Sequence, residues 1–66
     1  MQVTINGESQ TFKDPMNVVE LLERNALAEK RVAVEINENI VPRSRHATTM
    51  IVDGDRVEII QAIGGG

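Results

Sequence analysis

The chain ends on Gln61-Ala62-Ile63-Gly64-Gly65-Gly66, and the three final glycines are the residues whose type and placement best fit a chemical role. A free carboxylate on Gly66 can be activated as an acyl-adenylate inside another protein's pocket. Glycine has no Cβ, so such a tail can pass a narrow channel, and its carbonyl carbon stays uncrowded for an incoming nucleophile. From Ile63 onward the extended tail reaches roughly 13 Å, enough to enter a buried site while the folded body stays outside. Terminal glycines are also what a frayed end or an expression scar looks like. Here they follow directly on an apolar alternating stretch, with no polar linker or affinity tag between, and that favours the reactive reading.

The rest of the chain offers little that could act on a substrate. With no cysteine, disulfides, thiolate nucleophiles and cysteine-based metal sites are excluded. His46 is the single histidine, and no spacing around it supplies the further ligands that a metal ion needs. Asp53-Gly54-Asp55 falls far short of a calcium loop and reads as turn chemistry. Arg43, Arg45 and His46 form a small basic cluster, read as solvated loop surface, with contact to an acidic partner as the alternative. No nucleophile, base and orienting group come together, so the chain is not expected to be an enzyme in its own right. The net charge of −3 argues against a phosphate-backbone binder, and one aromatic residue, Phe12, makes no stacking platform for nucleic acid. The N-terminal residues carry neither an apolar run nor a cleavage-site pattern, so no membrane association is expected and the cytoplasm is the default location.

The elements that must carry the tail can be read from periodicity. Met1, Val3 and Ile5 alternate with Gln2, Thr4 and Asn6, the pattern of a half-buried strand. Asn6-Gly7 is a hairpin signal, since a type I′ turn needs positive φ at both central positions. A return strand is expected over 10–13 with Phe12 inward. After Asp14-Pro15, Asn17 and Glu20 fit a capping box, Met16 and Leu21 a hydrophobic staple, and Asn25 a C-cap. Val18, Leu21 and Leu22 form the helix's apolar stripe, with Glu20, Glu23 and Arg24 toward water. Strand character resumes over 32–36, Asn37-Glu38-Asn39 reads as a turn, and Ile40-Val41 as a short edge strand before Pro42. Residues 43–50 read as irregular with one helical turn near Arg43 to His46. Asp53-Gly54-Asp55 turns into a final strand over 56–61. Its alternation sends Val57 and Ile59 inward and Glu58 and Ile60 outward. Ile60, with Ile63 at the root of the tail and Glu58 beside it, is a candidate partner-docking surface. One helix crossing one face of a mixed four- to five-stranded sheet, with the first and last strands parallel at its centre, buries both apolar faces. That is an α+β, β-grasp arrangement, expected as one domain over 1–66 with a flexible tail at 63–66.

Along its whole length the chain resembles the thiamine-biosynthesis sulfur carrier (ThiS) family of the ubiquitin-like superfamily. The resemblance is carried by Met1-Gln2-Val3, by Val18-Val19-Glu20-Leu21-Leu22 and by Ile36-Asn37-Glu38-Asn39-Ile40-Val41-Pro42-Arg43. The stretch from Asp53-Gly54-Asp55 through Ile59-Ile60-Gln61 to Gly64-Gly65-Gly66 is its most specific part. A terminal Gly-Gly alone is shared with relatives such as the small subunit of molybdopterin synthase. The length, the Asn-x-x-Ile-Val-Pro-Arg segment and this ending favour the thiamine branch. Members often carry an aromatic residue near His46, and this chain has none there, which leaves the packing of 43–50 open.

The resemblance implies a cycle. A ubiquitin-activating-like adenylyltransferase consumes ATP to adenylate Gly66, and a persulfide donor converts it to a thiocarboxylate. Thiazole synthase then takes the sulfur. In that cycle Gly66 carries the reacting group, Gly64 and Gly65 thread it, and the carrier binds no cofactor of its own. Three other outcomes stay open: supply of sulfur to molybdopterin or to transfer RNA, a binding module with an inert tail, and conjugation to protein lysines.

Overall fold

Two-residue turns organise the sheet. Asn6 and Gly7 adopt φ of 50° and 84°, the pair of positive values that a type I′ turn requires, and so Ile5 stands opposite Glu8. The computed structural model, which describes residues 1–61, thus has β1 at Gln2–Ile5 and β2 at Glu8–Thr11. The second strand starts two residues earlier than the expected 10–13, because the tight turn leaves no slack between the strands. Phe12 lies just past it and is buried, held by backbone bonds to Met1 of 2.8 and 2.7 Å.

The helix α1 spans Val18–Arg24. At seven residues it is far too short to persist alone, so its caps and its buried face must hold it. The expected capping box is present: the Glu20 N–H donates to Asn17 Oδ1 at 2.8 Å, and the Asn17 N–H donates to Glu20 Oε1 at 3.0 Å. Val18, Leu21 and Leu22 are buried, and Met16 sinks into the same core as its staple partner Leu21. Asn25 caps the C-terminus, its Nδ2 donating to the Leu21 carbonyl at 3.0 Å. Beyond it, Ala26 takes φ of 59°. The Leu27 N–H then reaches Leu22 O at 2.8 Å and the Ala26 N–H reaches Glu23 O at 3.1 Å, a Schellman closure with alanine where glycine is usual.

The remaining strands are β3 (Met16–Asn17), which runs directly into the helix, β4 (Val32–Ile36), β5 (Asn39–Val41), β6 (Met50–Ile51) and β7 (Arg56–Gln61). Asn39 belongs to β5 rather than to the turn, since Asn37 and Glu38 alone close the hairpin at φ of 50° and 70°. The five-stranded sheet runs β2-β1-β7-β4-β5, with β7 parallel to β1 and antiparallel to β4. Val3, Ile5, Val34, Val57 and Ile59 point from it into the core, where they meet Val18, Leu21 and Leu22 of the helix.

A second, two-stranded sheet was not foreseen: Met16 pairs with Ile51 and Asn17 with Met50. It fastens the segment after Pro42 to the start of the helix. The Val18 N–H is shared between the carbonyls of His46 and Thr49 at 3.2 and 3.1 Å, and Asn17 Nδ2 donates to the Ala47 carbonyl at 3.3 Å. The expected turn at Arg43–Arg45 is a 3-10 helix. His46, grouped above with Arg43 and Arg45 as a surface cluster, is only 6% exposed, and its Nε2 lies 3.1 Å from the Val41 carbonyl. It is a packing residue, which leaves two exposed arginines where three basic groups were expected.

Candidate functional site

The last strand lies at the centre of the sheet and is paired on both sides. On one side β4 pairs with it from Val57 to Gln61, opposite Ile36 to Val32. On the other side β1 reaches only Arg56 and Val57. Past the end of β1 its place is taken by a side chain. Asn6 Oδ1 accepts from the Ile59 N–H at 2.8 Å, and Asn6 Nδ2 donates to the Ile59 carbonyl at 3.3 Å. The other hairpin repeats the device at the start of the strand: the Arg56 N–H donates to Asn37 Oδ1 at 3.0 Å. Asn37 Nδ2 in turn donates to Asp55 Oδ1 at 3.0 Å, while Asp55 Oδ2 accepts from the Val52 N–H at 2.9 Å. Asp55 is buried in this role, consistent with turn chemistry rather than cation binding. Sequence reasoning found both asparagines as turn formers but not as clamps. The turn alone accounts for their presence, so no further signal marks the second task.

The face of β7 away from the helix carries the proposed docking residues. Ile60 is 55% exposed and stands opposite Ala33, and an open cavity of about 340 Å³ lies there, lined by Arg31, Val32, Ala33 and Ile60. Glu58 is exposed on the same face, opposite Glu35, and Glu35 in turn stands opposite Ile40, which is 74% exposed. Alternation alone places Glu35 outward; only the strand register reveals that it faces Glu58. The other expected docking residue, Ile63, and the tail residues Gly64, Gly65 and Gly66 lie outside the described residues. Among the described residues there is no group of three metal-ligating side chains, and no helix is long and apolar enough to cross a membrane.

Comparison with known proteins agrees with this architecture. A ThiS family model matches residues 3–66. The crystal structure of the thiamine biosynthesis protein ThiS from Geobacter metallireducens superposes with a TM-score of 0.85 at 36% identity, covering 100% of both chains. The sulfur carrier protein ThiS of Escherichia coli is 35% identical over 66 residues, 100% of each chain. A thiazole synthase from Paramagnetospirillum magneticum is 44% identical over the same length, so the chain spans 20% of that relative.

Proposed function

This chain belongs to the ThiS family, and from that premise we propose that it carries sulfur for thiazole assembly as a thiocarboxylate on Gly66. It is a protein co-substrate rather than a catalyst. The observation that carries this reading is the position of β7, clamped on both sides and leading at Gln61 into a sequence that ends Ala62-Ile63-Gly64-Gly65-Gly66. A rigid body thereby presents a segment whose five residues reach about 17 Å when extended. Gly64 and Gly65 thread an enzyme's channel, and Gly66 arrives at the reacting centre.

A carboxylate is a poor electrophile, and its activation explains the demand for ATP. The Gly66 carboxylate attacks the α-phosphorus in the pocket of an adenylyltransferase and pyrophosphate leaves. The terminal sulfur of a persulfide donor then attacks the acyl carbon and expels AMP. Cleavage of the resulting S–S bond by a thiol, which supplies two electrons and ends as a disulfide, leaves the thiocarboxylate. ATP and persulfide belong to the partner enzymes, and the cycle runs in the cytoplasm. Ile60, Glu58 and Ile63 seat the partner's surface beside the tail.

Thiazole synthase as the acceptor is supported by the relative of that name, which includes a segment similar to this whole chain. Placing carrier and acceptor in one polypeptide raises their effective concentration to the millimolar range, an arrangement useful only if the two act together. The test is intact-mass analysis after incubation with ATP, the activating enzyme and a sulfur source. The expected product gains the mass difference of one sulfur replacing one oxygen, localised to Gly66. A chain that returns unchanged while a known carrier is loaded in the same mixture ends this reading.

A further inference from the structure

The register sets two carboxylates directly opposite each other on the outer face of the sheet: Glu58 on β7 and Glu35 on β4. Opposed side chains in an antiparallel pair have Cβ atoms about 5 Å apart, and like charges at that spacing destabilise the pair. The two carboxylates also have apolar company. Ile40 flanks Glu35 on the far strand and Ile60 lies two residues beyond Glu58, and both are largely exposed. Two cations share this face: Arg56, two residues before Glu58 on the same strand and lining one cavity with it, and Arg31 at the cavity next to Ile60.

Resting on the carrier reading above, we propose that Glu35 and Glu58 form a socket for one arginine of thiazole synthase, with Ile40 and Ile60 gripping the apolar side chains that flank it. A guanidinium is planar and has five N–H donors, so it can bond two carboxylates at once. Its charge relieves the repulsion that the free carrier bears. The same charges select against other occupants of this face. A second copy of the chain would bring two further carboxylates against these, while anionic lipid and nucleic acid would be repelled. The socket is also continuous with the proposed reaction end. Gln61 follows Glu58 by three strand residues, about 10 Å, so an enzyme seated here has the tail within reach of its pocket.

The test separates a docking role from a structural one because the two predict opposite signs. Affinity for thiazole synthase is measured by calorimetry with the unloaded, full-length carrier, and the stability of each variant by urea denaturation. Glu58→Lys places an ammonium opposite Glu35, so the free protein is expected to unfold at a higher urea concentration. Its binding to thiazole synthase is expected to weaken by more than about tenfold. The double variant Glu35→Gln/Glu58→Gln should bind about fivefold or more weakly, with a flatter dependence on salt. Three results would overturn the proposal: affinity unchanged in both variants, stability falling together with affinity in Glu58→Lys, or binding lost in Ile40→Ser and Ile60→Ser but intact in the glutamine double variant. Intact-mass loading of the parent chain is read in parallel. Failure there ends the carrier reading, whereas normal loading with unchanged affinity ends only the socket.

Discussion

The side-chain amide of Asn6 is bonded to both backbone polar groups of Ile59, accepting from its N–H at 2.8 Å and donating to its carbonyl at 3.3 Å. The backbone of Asn6 continues the same ladder, its N–H donating to the Val57 carbonyl at 2.9 Å. A turn residue in one hairpin thereby substitutes for a strand that has already ended and holds β7 two residues from its last described position. The Asn6→Gly substitution isolates this effect, because glycine accepts the φ of 50° without strain. The loss of two partly buried bonds is expected to cost about 1–2 kcal/mol in urea denaturation. Amide exchange at Ile59 should quicken beyond what the global change explains, and an unaltered Ile59 rate would show that water replaces the amide at no cost.

Asp55 is the second fastening of β7, reached through Asn37. Removing its carboxylate in Asp55→Ala takes the partner from the Val52 N–H and the Asn37 amide, two part-buried bonds. About 1–2 kcal/mol of stability should disappear, the net contribution of two part-buried bonds to a carboxylate. Asp55→Asn offers one acceptor where two are used, so an intermediate loss is expected. Equal denaturation midpoints for all three proteins would contradict the role assigned to this side chain.

Of the four non-glycine residues at left-handed φ among the described residues, two are not asparagine: Ala26 at φ of 59° after the helix, and Glu38 at φ of 70° in the second hairpin. An L-residue there carries a steric cost of about 1–2 kcal/mol, partly offset because glycine gives the unfolded chain more freedom. Ala26→Gly and Glu38→Gly should therefore each stabilise the protein by up to about 1 kcal/mol. Thermal unfolding of the two variants checks this directly. A fall in melting temperature would mean that the surrounding bonds, not the backbone conformation, set the energy of these turns.

How much of this could be read without the structure depended on whether a signal was local. The Asn6-Gly7 turn, the Asn17/Glu20 capping box, the Val18-Leu21-Leu22 stripe and the alternation of β7 are each set by neighbours within a few residues, and each was legible. The pairing of Met16–Asn17 with Met50–Ile51 was not, because a two-residue strand has no period to detect. His46 looked like a surface cation beside Arg43 and Arg45. Its burial depends on the chain after Pro42 folding back over the start of the helix, a contact between distant segments. Within the candidate site, the outward face of Glu58 and Ile60 followed from alternation. Their neighbours Glu35, Ala33 and Ile40 needed the strand register, which hydrophobic pattern constrains only to one face or the other.

The separation of fold from chemistry leads to a last prediction. The buried core of the described residues runs from Val3 to Ile59, and the clamps on β7 act at Arg56 and Ile59. The described side chains and bonds that hold this core all lie within residues 1–61. Deleting those two glycines should leave the urea midpoint within about 0.5 kcal/mol of the parent, the range of changes remote from any packed or bonded group. Sulfur loading should fall to background, since the shortened chain ends before the reacting position. Docking to thiazole synthase should persist in weakened form, because the Glu35–Glu58 face is intact. A truncated chain that still supports thiazole formation would remove Gly66 from the mechanism. A truncated chain that unfolds would show instead that the tail packs on the body and that the two functions are not separable.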